Sequence, residues 1–237
     1  LSPGLKQETT IVMPAGEPLR REFHSELDQL RLQVELMGVR VDENLERMRE
    51  VLRTGDTGAV EAALAADDVI DQMNVSLTEQ CYVLLGRQAP VASELRFVVS
   101  VLRIVSELER VGDLSLRVAK LAPQHALLSS AEVAWDILLT VADEAVEDFR
   151  TALRAWSVFD LGLATELARR TRRLDVYFER LTSEVMRLDG PDAVPIAVGI
   201  FMAGRSVERI ADHAAIIGAR LRYLITGEPA HLAAEVR

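Results

Sequence analysis

Two stretches of this chain repeat each other about a hundred residues apart. Val105–Lys120 reads VSELERVGDLSLRVAK and Gly204–Ala219 reads GRSVERIADHAAIIGA. At an offset of 99, Glu109 falls on Glu208, Arg110 on Arg209, Val111 on Ile210 and Asp113 on Asp212. The repeat extends upstream at an offset of 104, where Asp56 meets Asp160, Gly58 meets Gly162, Asp71 meets Asp175 and Leu77 meets Leu181. A duplicated chain must fold as two equivalent units, and each unit here carries a Glu-x-x-x-Asp pair in an apolar helical setting.

Apolar spacing and breakers place six long helices, over 20–53, 57–87, 91–121, 131–158, 161–188 and 193–225. Thr54–Gly55–Asp56, Pro90, Pro123, Asp160 and Gly190–Pro191 mark the breaks. Asp56 and Asp160 are expected N-caps, because a short carboxylate accepts from orphan backbone N–H groups. No useful run alternates with period two. The expected fold is all-α: two repeated three-helix bundles, over 20–122 and 131–226, related by a pseudo-twofold axis. Residues 1–19 are expected to form a flexible tail.

Composition narrows the function. Asp and Glu outnumber Lys and Arg, 37 to 27, for a net charge of −10. That balance argues against a phosphate-backbone surface, so nucleic acid is not an expected partner. Cys81 is the single cysteine, which excludes an intramolecular disulfide and a thiolate cluster and fits a cytoplasmic compartment. The opening residues lack a signal-peptide pattern, and no apolar run approaches the roughly 20 residues of a membrane span.

The acidic pairs are the candidate site. On the third helix Leu95, Val98, Leu102, Val105, Gly112 and Leu116 form an apolar seam that Glu109 interrupts, with Asp113 one turn on. On the last helix Glu208 interrupts a seam of Phe201, Gly204, Ala211 and Ala215, and Asp212 follows. Carboxylates spaced i,i+4 repel, and burial adds desolvation. Either neighbouring arginines or a cation must offset that cost. Asp67 and Asp71 on the second helix would complete a four-carboxylate set with Glu109 and Asp113, suited to a hard or borderline divalent ion. The second unit offers Asp175, Glu208 and Asp212, with Thr171 in place of the fourth acid and Arg172 and Arg173 alongside, so it is expected to bind more weakly.

His213 is expected to be a neighbour of the second set rather than a ligand, and His24, His125 and His231 to be solvated. Trp135 and Trp156 are expected in packing, and Cys81 as a buried small hydrophobe. Signature motifs of serine hydrolases, P-loop NTPases, zincins and dinucleotide enzymes are missing from the sequence, as is a paired Glu-x-x-His di-iron set. The chain is not expected to be an enzyme.

Through Arg87–Asp113 (RQAPVASELRFVVSVLRIVSELERVGD), Val207–Leu221 (VERIADHAAIIGARL) and Ala66–Met73 (ADDVIDQM), the chain resembles the PhoU family. The resemblance spans about Arg20 to Gly227. It implies a negative regulator of phosphate uptake and of the phosphate-starvation response, an adaptor between a phosphate ABC transporter ATPase and a sensor histidine kinase. It further implies a cytoplasmic homodimer that meets the membrane only through its partners. It implies metal (iron, zinc, manganese or magnesium) on Asp67, Asp71, Glu109 and Asp113, and on Asp175, Glu208 and Asp212. Two alternatives remain open at this level: an accessory subunit of a low-affinity phosphate carrier, or a metal-binding helical protein without a signalling role.

Overall fold

The computed structural model describes residues 16–87, 90 and 92–236, with the side chains of 16–20, 171, 172 and 234–236 outside the description. The long helices are α1 (Gly16–Thr54), α2 (Thr57–Arg87), α3 (Ala92–Ala119), α5 (Glu132–Val158), α6 (Leu161–Val185) and α7 (Ala193–Thr226). A short α4 (His125–Leu128) bridges the halves, flanked by a 3-10 turn at Ala122–Gln124, and Pro229–Val236 closes the chain in 3-10 form. No strand occurs among the described residues. Helix α1 starts at Gly16, ahead of the expected Arg20, so residues 16–19 are helical, while 1–15 lie outside the described residues.

The breakers act as the sequence indicates. Asp56 Oδ1 accepts from Gly58 N at 2.9 Å, and Asp160 Oδ1 from Leu163 N at 2.9 Å. Gly55 stops α1 with φ +72°. Its counterpart Phe159 ends α5 with φ 52°, a left-handed conformation unusual for an aromatic residue. Phe159 is held there by the Arg31 guanidinium, 4.8 Å from its ring centroid, and by the Trp156 ring at 5.4 Å.

Helices α1, α2 and α3 pack pairwise as one bundle, and α5, α6 and α7 as the other. Burial follows the duplication. Val34, Val41, Asn44, Leu45, Met48 and Leu52 are buried on α1, and so are their counterparts Leu138, Ala145, Asp148, Phe149, Ala152 and Trp156 on α5. The same holds for Val101, Leu108 and Val111 on α3 against Ile200, Val207 and Ile210 on α7. Two seam residues differ from expectation. Leu95 is 43% exposed because the α3 core starts a turn further on, at Val98, while Phe201 is 41% exposed because the core face of α7 runs through its neighbour Ile200 instead.

The bundles share one hydrophobic core through two antiparallel seams. Helix α3 runs against α7: Glu107 meets His213 mid-helix, while Arg96 lies beside Gly227 at the α7 terminus. Helix α1 runs along α5, where Gly38 leaves room for Leu153; a Cβ there would sit 2.4 Å from Leu153 Cδ2. The α1–α5 seam is ionic in its middle, with Arg150 on Asp42 (2.9 Å) and Glu46 (2.6 Å), and Arg49 and Arg53 on Asp143 (2.7 and 2.8 Å). Its ends are aromatic: Arg31 over Phe159 at one, and His125 edge-on to Trp135 (5.4 Å) at the other. His125 is therefore packed, not solvated; its Nε2 also lies 3.2 Å from Leu52 O.

Candidate functional site: two carboxylate clusters on a duplicated scaffold

Asp67 and Asp71 on α2 face Glu109 and Asp113 on α3, with Gly112 between them, where a Cβ would make only ordinary contacts with Ile70 and Asp67. A Cβ at Gly112 would lie 3.5 Å from Asp67 Oδ1. Burial, then Asp113 and Asp71, push the Asp67 carboxyl up to about 6, while Lys120 opposes the rise. Glu109 is raised by burial first, then by Asp113, Asp71 and Asp67, with Arg110 opposing. The four expected carboxylates thus come together and repel one another. Among the described residues, no three His, Cys, Asp or Glu side chains converge closely enough to hold an ion as they stand. The set is an electrostatic cluster with an open arrangement.

The second repeat brings Asp175, Glu208 and Asp212 into mutual range but arms the site differently. Glu208 accepts from Arg205, one turn earlier on α7. Burial raises Glu208 first, Arg205 opposes, and Asp212 and Asp175 add to the rise. Asp212 is raised by burial against the lowering effect of His213, Arg205 and Arg209. Sequence reasoning placed the opposing charge on Arg172 and Arg173. The Arg172 and Thr171 side chains lie outside the described residues, and Arg173 acts on Asp148 of α5. The signal for Arg205 was present in the aligned repeats, where Ser106 stands at its position in the first copy.

Two buried polar pairs also escaped the sequence reading. His213 Nδ1 lies 2.5 Å from Glu107 Oε2, both nearly inaccessible, and joins α3 to α7 across the seam between repeats. Their counterparts are Ser206 and Leu114, so the pair is not duplicated and left no trace in the repeat comparison. Asp148 is 2% exposed, 2.8 Å from Arg170 in an ion contact too poorly aligned for a hydrogen bond. Burial is the main cause lifting its carboxyl to about 6, with Arg170 opposing. Its counterpart Asn44 has Nδ2 3.4 Å from Ala63 O.

Cys81 is fully buried and its thiol pushed up to about 12 by burial, so it is inert as a nucleophile. Surface grooves of about 210, 270 and 290 Å³ are lined by none of the cluster carboxylates. Among the described residues no helix is long and apolar enough to cross a membrane.

The chain is similar to known proteins over most of its length. The PhoU domain family matches residues 34–122 and 138–221, one segment in each repeat. The chain belongs to the PhoU family. It is 28% identical over 211 residues to a phosphate-specific transport system accessory protein PhoU homolog of Pseudomonas putida, covering 88% of this chain and 82% of the relative. Against the Escherichia coli (strain K12) phosphate-specific transport system accessory protein PhoU it is 25% identical, with 87% and 86% covered. The crystal structure of PhoU from Pseudomonas aeruginosa superposes with a TM-score of 0.83 at 29% identity, over 87% of this chain and 100% of that one. The phosphate transport system regulatory protein PhoU from Streptococcus pneumoniae gives 0.79 at 28%, over 87% and 98%.

Proposed function

We propose that this PhoU-family chain is a negative regulator of phosphate uptake, an adaptor that links the ATPase of a phosphate ABC transporter to a sensor histidine kinase. The family match across both repeats carries this reading. The relatives' names, which describe accessory and regulatory proteins of phosphate transport systems, agree with it. The chain works without catalysis, in the cytoplasm, as a homodimer, and reaches the membrane only through its partners. Deleting the gene should raise expression of phosphate-uptake genes in phosphate-rich medium. Unchanged expression in a strain with no second copy would overturn the regulatory role.

The carboxylate clusters are the proposed metal sites. Their donors are all oxygen and mutually repelling, with Asp67, Glu109 and Glu208 half-buried and the other four exposed, which suits a hard or borderline divalent ion such as iron, zinc, manganese or magnesium. Asp67, Asp71, Glu109 and Asp113 would hold it in the first repeat, and Asp175, Glu208 and Asp212, more weakly, in the second. A bound cation would supply the positive charge that offsets this repulsion and would tie α2 to α3. Metal content of protein purified without chelator should fall sharply in the Glu109→Gln/Asp113→Asn double variant and less in Glu208→Gln/Asp212→Asn. Equal losses would refute the asymmetry.

A further inference from the structure

The outer ridge of α1 is apolar where the fold gives no reason for it to be. Leu32, Leu36 and Val39 are 61%, 49% and 50% exposed, spaced i, i+4, i+7 on one line facing away from the core. Their counterparts on α5 are Asp136, Thr140 and Asp143, the last paired with Arg49 and Arg53 of α1, so the equivalent helix carries a polar ridge. An unpaired apolar line on one of two equivalent helices marks a contact surface rather than a packing need.

The charges beside the ridge identify its occupant. In heptad terms Leu36 is an a position and Leu32 and Val39 are d positions. Glu35 and Asp42 then take g, on the flank toward α5, and Arg40 and Arg47 take e, on the flank toward α2. In a parallel pair of identical helices, each g residue meets the e residue five positions on in the partner. That rule brings Glu35 to the partner's Arg40 and Asp42 to the partner's Arg47. An antiparallel pair would instead set acid beside acid and arginine beside arginine.

From this geometry we infer that α1 docks on α1 of a second copy in parallel, through Leu32, Leu36 and Val39. The inference deepens the homodimer of the proposed function and rests on it. The flanking residues remain available for these contacts. Glu35 accepts a long 3.4 Å contact from Arg31, and Arg40 is about half exposed while paired to Glu43. Asp42 is held by Arg150, yet a carboxylate has acceptor sites to spare. Glu43 and Glu46 occupy the next a and d positions and end the stripe by setting like charges opposite each other across the axis. The contact is therefore short compared with a standard interface of about 1,200–2,000 Å². The dimer is accordingly concentration-dependent, not permanent.

Sedimentation equilibrium across the micromolar range tests the arrangement. The wild type should show a monomer–dimer equilibrium, and Leu36→Glu should be monomeric at every concentration with unchanged helicity. Glu35→Arg and Arg40→Glu should each raise Kd by about fivefold to tenfold, since both symmetry-related pairs turn repulsive. The combined Glu35→Arg/Arg40→Glu chain should return to the wild-type Kd. A dimer indifferent to Leu36→Glu would keep the homodimer and overturn this face. A double charge swap that fails to rescue would overturn the parallel register. A wild type monomeric throughout would overturn the self-contact and the homodimer together, leaving the regulatory role to its genetic test.

Discussion

Single side chains decide how the two clusters differ. Ser106 and Arg205 hold equivalent positions one turn before the cluster glutamate, and only Arg205 pairs with it. A guanidinium near 4 Å opposes a divalent ion by a Coulomb energy of about 4 kcal/mol per unit of its charge at an effective dielectric near 20, before screening. Arg205→Ser should therefore raise metal content of the second cluster, and Ser106→Arg should lower that of the first, both read by elemental analysis of the purified variants. Asp148 permits a pH test. Its folded-state carboxyl sits near 6, above the ordinary 3.8, so its ionised form opposes folding. Its favourable contribution is complete below about pH 4 and is lost as pH rises through about 6. Asp148→Asn, which restores the amide found at Asn44, should flatten this part of the stability profile. The expected gain at pH 7.5 is about 1–2 kcal/mol, reduced because Arg170 loses its counter-charge. Urea melts at pH 4, 6 and 7.5 would show it, and an unchanged slope would count against the buried-carboxylate account.

Among elements, α5 reaches α1 at Gly38, whose bare backbone Leu153 covers. A β-branched side chain there must displace Leu153 or part the helices. Gly38→Val should cost on the order of 1–3 kcal/mol, seen as a lowered Tm. At this scale the sequence was most legible. Helix ends at Thr54, Arg87 and Val158 were readable because Gly55, Pro90 and the Asp160 cap punctuate the chain. Helix α4 was not, since four residues carry too little periodicity to distinguish a turn of helix from a loop. Leu95 was misjudged because a heptad pattern does not show where along a helix its neighbour begins, and Phe201 because both it and the adjacent Ile200 are apolar and only Ile200 faces the core. Duplication singled out Glu109/Asp113 and Glu208/Asp212 from other i,i+4 acidic pairs, whereas Asp67, aligned with Thr171, had only its spacing to Asp71 to mark it. Glu107–His213 and Asp148–Arg170 were hidden because nothing in the spacing of one helix reveals which polar residue a different helix brings opposite it.

The whole molecule is two copies of one bundle joined along α3–α7 and α1–α5, with the main core running through both. The tryptophans have a consequence at this scale. Both belong to α5, yet each is seated at an opposite end of the joint: Trp156 stacks on Phe97 of α3 at 6.0 Å, and Trp135 meets His125 at 5.4 Å. Both indoles are nearly sealed from water. No other residue in the chain fluoresces as they do, so the intrinsic emission of this protein is a gauge of whether its halves are closed on each other. Trp135→Phe and Trp156→Phe separate the gauge into its two ends. A red shift in one variant but not in the other, on adding a metal or a partner, would locate which end of the joint has loosened.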